Sequence, residues 1–157
     1  MDFDAVFESP VGRLGIRMQG AALGQLQFLS GRYRLRPPAS PQAAQVVQAV
    51  LDYFENPRHS PELAVQLTGT DFQRRVWEAL RRIPSGSTLT YGALAKRLGS
   101  GARAVGNACR HNPVPIVVPC HRVVAQRGPG GFAGRRQGRL LDVKQRLLRH
   151  EGVEIPG

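Results

Sequence analysis

Apolar and polar positions change rhythm three times along the chain. Over the first 30 residues they alternate in short runs. Asp4 to Glu8, Gly15 to Met18 and Leu23 to Leu29 read as strands, with turn signals at Pro10-Val11-Gly12 and Gly20. After a basic, Pro-rich connection from Arg32 to Pro41, the period becomes helical. Gln42 to Phe54 is a helix with Ser40 as cap, Pro41 at its first position, and Val46, Val47, Val50, Leu51 and Phe54 as its apolar stripe. Asn56-Pro57 ends it, and Pro57 to Gly69 is a linker with one extended piece at Leu63 to Leu67.

Beyond Gly69 the helical period dominates. Thr70 caps a helix running from Asp71 to about Ile83-Pro84, with Phe72, Val76, Trp77 and Leu80 on one face. A short helix opening at Thr90 or Tyr91 stops at Gly99, and a second spans about Ala102 to His111. Two short helices across a Gly-containing turn form a helix-turn-helix pattern. Val114 to Val118 reads as a short apolar strand between Pro113 and Pro119. Gln126 to Arg139 is a Gly- and Arg-rich loop, and Leu140 to His150 a final helix with Leu140, Leu141, Leu147 and Leu148 inward. The expected fold class is α/β. A small N-terminal sheet-plus-helix domain, residues 1–66, packs on a mostly helical domain, residues 67–157, that carries the helix-turn-helix.

Charge sharpens this picture. The 157-residue chain carries a net +11, and 41% hydrophobic content suffices for a core, which excludes a disordered basic tail. Residues 1–69 balance six basic against six acidic side chains, whereas residues 70–157 hold sixteen basic and five acidic ones. Of the basic residues 20 are Arg and two are Lys. Arg suits multi-donor contact with phosphate. A C-terminal half of this charge therefore points to nucleic acid, with a solvated basic face as the plainer alternative. No uncharged apolar run reaches about 18 residues, and the acidic MDFDAVFE start has no signal-peptide layout. A cytoplasmic chain without a membrane span is expected.

Candidate chemistry centres on Pro119-Cys120-His121-Arg122. An imidazole and a guanidinium beside a thiol favour thiolate. Cys120 could be a nucleophile, a metal ligand, a redox centre or plain core. The metal reading is the poorest: Cys109, His111, Cys120 and His121 lack ligand spacing. No Cys-x-x-Cys exists for redox work.

Pro119-Cys120-His121-Arg122-Val123 resembles the active-site signature of the O6-alkylguanine-DNA alkyltransferases. So do Phe72-Gln73-x-x-Val76-Trp77-x-x-Leu80-x-x-Ile83-Pro84-x-Gly86, Thr90-Tyr91-Gly92-x-Leu94-Ala95, Ala102-Arg103-Ala104-Val105-Gly106, Asn112-Pro113 and Lys144-x-x-Leu147-Leu148-x-x-Glu151-Gly152. The resemblance covers residues 70–152. It implies direct reversal of DNA damage. The alkyl group of O6-methylguanine, with O4-methylthymine as a second candidate lesion, would move once and irreversibly to a protein cysteine after base flipping. It implies no cofactor, and since the N-terminal half lacks Cys and offers no metal cluster, no metal is expected; the partner would be duplex DNA carrying the lesion, met by a monomer.

The resemblance also implies roles. Cys120 is the nucleophile, His121 the base acting through a water, Glu151 the partner of the imidazole, and Tyr91 the proton donor to the departing guanine. Arg103 enters the duplex, with Ala102, Ala104, Gly106, Arg110 and Arg122 at the DNA. Asn112 is a hinge, the Val123 carbonyl meets the guanine 2-amino group, and Phe132, Ala133 and Gly134 shape the pocket. The family's Tyr-x-Gly-Gly stands here as Phe132-Ala133-Gly134-Arg135, followed by about five extra residues, which bears on the size of alkyl group accepted. A non-catalytic lesion-binding module and a helix-turn-helix transcription factor are the alternatives from other classes.

Overall fold

The computed structural model describes residues 2–126, 130 and 139–154. It divides into two compact units. One takes the chain up to Thr68 together with Pro113–Val117; the other takes Gly69–Asn112 and the chain from Val118 onward.

The first unit is an antiparallel meander, β1 (Ala5–Ser9), β2 (Gly12–Gln19) and β3 (Ala22–Leu29), with Ala5 opposite Ile16 and Ile16 opposite Leu26. Period-2 alternation sends Leu14 and Ile16 inward beside Ala5, and a register shift between Arg17 and Met18 lets Leu23 and Leu26, three residues apart on β3, both be buried. Helix α1 (Pro41–Glu55) packs against β1 and β3. Its start follows the expectation: the Ser40 hydroxyl accepts from the Ala43 amide, with Pro41 in the first turn. Its buried face, however, is Ala43, Val46, Val50 and Tyr53, rotated from the expected stripe, with Tyr53 inward and Phe54 half-buried. Positions 43, 46, 50 and 53 follow the 3.6-residue period more closely than a stripe built on residue hydrophobicity alone. Leu63 to Leu67 supplies an extended piece: the Leu23 amide donates to the Ala64 carbonyl and the Gln66 amide to the Leu23 carbonyl.

Pro113–Val117 also belongs to this unit, and Val114 to Val118 is a sequence of turns rather than the expected strand. Pro113, Pro115 and Pro119 remove the amide donors that a ladder needs. Ile116 sits at φ 76°, where a β-branched residue is strained, and its side chain is fully buried.

The second unit is mostly helical. In α2 (Asp71–Leu80) Thr70 and Gln73 form a reciprocal capping box. The helix ends at Leu80, before the expected Ile83-Pro84: Arg82 and Ile83 close with tighter bonds to the Ala79 and Leu80 carbonyls, and Pro84 has no amide to extend the ladder back to Leu80. Buried Trp77 donates its indole N–H to the Ala108 carbonyl at 2.9 Å, tying α2 to α4 (Ala102–Arg110). Between them lies α3 (Tyr91–Leu98), capped by Thr90 and closed by Gly99 at φ 65°, a left-handed position glycine adopts freely. Helices α3 and α4 form the helix-turn-helix, burying Leu94, Ala95, Val105, Ala108 and Cys109. Helix α5 (Arg139–His150) buries Val143, Lys144, Leu147 and Leu148, while Leu140 and Leu141 are half-buried. Two short strands absent from the sequence reading, β4 (Leu89–Thr90) and β5 (Val123–Val124), pair in parallel. Among the described residues no helix is long and apolar enough to cross a membrane.

Candidate active site

Cys120, His121 and Arg122 form one turn of 3-10 helix directly before β5. All three side chains are buried. Glu151 follows α5, its amide held by the Leu147 and Leu148 carbonyls at 3.1 Å. Its carboxylate meets His121 Nε2 at 2.7 Å. The structure thus brings together the imidazole and carboxylate that lie 30 positions apart in the chain. Burial lowers the His121 pKa; the Glu151 carboxylate opposes that shift, and the Arg122 and Lys144 charges reinforce it. His121 Nδ1 is buried with no hydrogen-bond partner among the described residues.

The surroundings of the thiol differ from the expectation. Adjacent in sequence, His121 and Arg122 turn away toward Glu151. The groups that favour the Cys120 thiolate are instead the Asn112 side chain, by a hydrogen bond, and the Lys144 ammonium, against a burial that pushes the thiol pKa up. Asn112 Nδ2 also donates to the Val118 carbonyl at 2.8 Å, which secures the segment entering the active-site turn. Cys109, the other thiol, is pushed up to about 12 by burial and by the nearby Cys120, and stays a protonated core residue.

Lys144, which sequence reading placed in a motif but gave no role, joins this cluster. It is fully buried. Its Nζ donates to the Val123 carbonyl at 2.7 Å and to the Tyr91 hydroxyl at 3.5 Å, and burial brings its pKa down to about 8. The signal was available: positions 140, 143, 144, 147 and 148 form the inward stripe of α5, and a lysine stands in it. Tyr91 reaches this group because β4 pairs with β5, placing Thr90 opposite Val124. Gly130 closes on the same ring, where a side-chain carbon would approach Tyr91 Cε2 to 2.9 Å. The Val123 carbonyl, expected at the guanine amino group, accepts from Lys144.

On the helix-turn-helix, Ala102, Arg103, Ala104 and Arg110 are exposed and Gly106 is half-buried. Lys96 and Arg97 are exposed on α3. Arg122 does not join them. Its side chain is 4% exposed, and its nitrogens go to Glu151 Oε1 at 2.8 Å, Glu151 Oε2 at 3.0 Å and the Ile83 carbonyl at 2.6 Å. A guanidinium occupied in this way cannot reach a phosphate, so the expected DNA contact is corrected to an internal one. Phe132, Ala133 and Gly134 lie outside the described residues, as does most of the Gln126 to Arg139 loop.

The unit that carries the helix-turn-helix also buries a cysteine, a histidine–carboxylate pair and a lysine, the set of groups a DNA-directed protein working through a thiol would use. Residues 71–153 match the family model described as 6-O-methylguanine DNA methyltransferase, DNA binding domain. The chain is 37% identical over 158 residues to the methylated-DNA–protein-cysteine methyltransferase of Methanosarcina acetivorans, covering 94% of this chain and 97% of that one. It is 39% identical over 156 residues to the enzyme of the same name from Mycolicibacterium paratuberculosis, covering 95% and 92%. The crystal structure of Mycobacterium tuberculosis OGT in complex with DNA superposes with a TM-score of 0.77 at 34% identity, over 94% of this chain and 92% of that one. The chain belongs to the 6-O-methylguanine DNA methyltransferase family.

Proposed function

We propose that this protein repairs O6-alkylguanine in duplex DNA by moving the alkyl group to Cys120, one lesion per chain. The observation that carries the reading is the 2.7 Å contact of His121 Nε2 with Glu151, on the same buried turn as Cys120. A carboxylate holding one ring nitrogen leaves the other as base, the arrangement that activates a weak nucleophile. The thiol proton passes to His121 Nδ1 through a water, the relay implied by the family resemblance. Sulfur then attacks the alkyl carbon in line: a C–S bond forms, the C–O6 bond breaks, and its electron pair leaves with the purine. Tyr91 supplies a proton to the purine, and the Lys144 ammonium beside its hydroxyl favours that transfer. The product is a thioether, a poor leaving group, so the chain acts once.

A buried thiol cannot reach O6 of a stacked guanine, which requires the nucleotide to leave the helix. Exposed Ala102 and Ala104 let the backbone of α4 approach the groove closely, and Arg103 fills the space vacated by the flipped base. Lys96, Arg97 and Arg110 add phosphate contacts.

Equimolar protein and duplex DNA carrying O6-methylguanine should give protein heavier by about 14 Da, one added CH₂ at sulfur. Peptide mapping should place that mass on Cys120. Cys120→Ser should bind the lesion without reacting, and Cys109→Ser should react normally. Unmodified wild-type protein with the lesion intact would favour a non-catalytic lesion-binding module; mass on Cys109 would refute the assignment of the nucleophile.

A further inference from the structure

Arg122 is the member of the buried cluster to which the reaction as written gives no part. Its guanidinium joins three separate segments: its own 3-10 turn, Glu151 beyond α5, and the Ile83 carbonyl beyond α2. Glu151 Oε1 accepts from Arg122 Nε, while Oε2 accepts from both Arg122 Nη2 and His121 Nε2. The fork fixes the plane of the carboxylate, and with it the point toward which the imidazole must aim. It also supplies the positive charge that a fully buried carboxylate requires.

That charge has a second consequence. A buried carboxylate facing only a histidine would settle its charge by drawing a proton onto the imidazole or by taking one up itself. With Arg122 in place the carboxylate is already balanced, stays ionised, and can only accept. His121 Nε2 must then carry the hydrogen, and the ring stays neutral. Nδ1, the buried ring nitrogen with no partner among the described residues, is left with its lone pair. The charged or titratable groups acting on His121 are Glu151, Arg122 and Lys144. Glu151 alone favours the imidazolium; burial and the two cations favour the neutral base.

Resting on the proposed alkyl transfer, we infer that Arg122 is a positioning residue, which clamps Glu151 so that His121 is held as the neutral Nε2–H tautomer with Nδ1 as proton acceptor. It works inside the protein and takes no part in holding DNA.

The test compares wild type, Arg122→Met and Arg122→Lys in the full chain. The rate of methyl transfer from O6-methylguanine duplex is followed by intact mass from pH 4.5 to 9. ¹⁵N NMR of His121 reports the tautomer, and affinity for undamaged duplex is measured in parallel. Arg122→Met should lose roughly tenfold or more in rate, as removal of an orienting partner does. The acid limb of its pH–rate profile should move up by about one unit, since loss of the cation raises the imidazole pKa. In the ¹⁵N spectra the doubly protonated ring of Arg122→Met should appear at a pH about one unit higher than in wild type, which at neutral pH shows one protonated and one bare nitrogen. Arg122→Lys keeps the charge but not the fork: its acid limb should stay in place while its rate falls by a similar factor. It decides the matter should the methionine variant fail to fold.

An unchanged tautomer and acid limb in Arg122→Met, or full rate in Arg122→Lys, would overturn the clamp. So would a tenfold loss of affinity for undamaged duplex with a shallower salt dependence, which would return Arg122 to the DNA. If wild type transfers no methyl group at all, the proposed reaction fails, and the NMR comparison still decides what Arg122 does to His121.

Discussion

Replacing Lys144 with methionine removes a buried cation while keeping most of the side-chain volume. Burial brings the lysine pKa from 10.5 to about 8. A depression of about 2.5 units corresponds to about 3 kcal/mol against the charged form in the native state. The sign follows from proton counting. Between about pH 8 and 10.5 the unfolded chain holds the lysine proton more firmly than the native chain, so native stability rises with pH across that window. Below pH 8 both states are protonated and the full penalty is in force. The methionine variant lacks the penalty but leaves the Val123 carbonyl without its 2.7 Å donor, a loss of about 1–3 kcal/mol. At pH 7.5 these effects offset, and the variant should lie within about 2 kcal/mol of wild type. At pH 10.5 wild type should have gained about 3 kcal/mol relative to the variant. The cysteine ionisations, present in both proteins, largely cancel in the difference. Urea unfolding of both chains at pH 7.5, 9 and 10.5 measures this directly. Alkyl transfer should meanwhile fall roughly tenfold or more, because the thiolate loses a nearby cation. Stability curves that run parallel with pH, or undiminished transfer, would refute the account of Lys144.

Arg103→Ala should slow repair of a paired lesion more than reaction with free O6-benzylguanine; equal losses would mean that Arg103 supports the pocket rather than the flipped state. Wild-type affinity for duplex DNA should weaken at least several-fold between about 50 and 200 mM salt, since each released counterion contributes a log–log slope near 0.9, and a flat dependence would contradict a phosphate-dominated interface. Trp77→Phe should destabilise the protein by about 2–4 kcal/mol, from the lost packing volume and the orphaned Ala108 carbonyl, as read by denaturant unfolding.

Local signals settle local structure, and much of this molecule was legible in them. Ser40-Pro41, Thr70 with Gln73, and Thr90 announce helix starts because each supplies an acceptor for an unpaired amide within three residues. Gly99 announces an end because the left-handed cap suits glycine. The meander and the helix-turn-helix follow from period and punctuation. The motif around Cys120 and the asymmetry of charge pointed to the chemistry and to the polyanion before any coordinate was known. Long-range placement was not legible in the same way. The pairing of β4 with β5 involves two residues on each side, too short for any periodic signal, yet it brings Tyr91 to the site. Lys144 stands in the inward stripe of α5, so its burial was legible from the helical period, but its partners, the Val123 carbonyl and the Tyr91 hydroxyl, come only from the packing of α5. Arg122, basic and beside the nucleophile, looks like a phosphate ligand in one dimension. Which partner a charged side chain meets depends on what the fold carries to within hydrogen-bond distance, and here a carboxylate 29 residues away lies 2.8 Å from Arg122 Nε. The chain's own order thus determined the elements and the reactive residue types; tertiary packing alone decided which charges face one another, because electrostatic partnership is a matter of angstroms rather than of position in sequence.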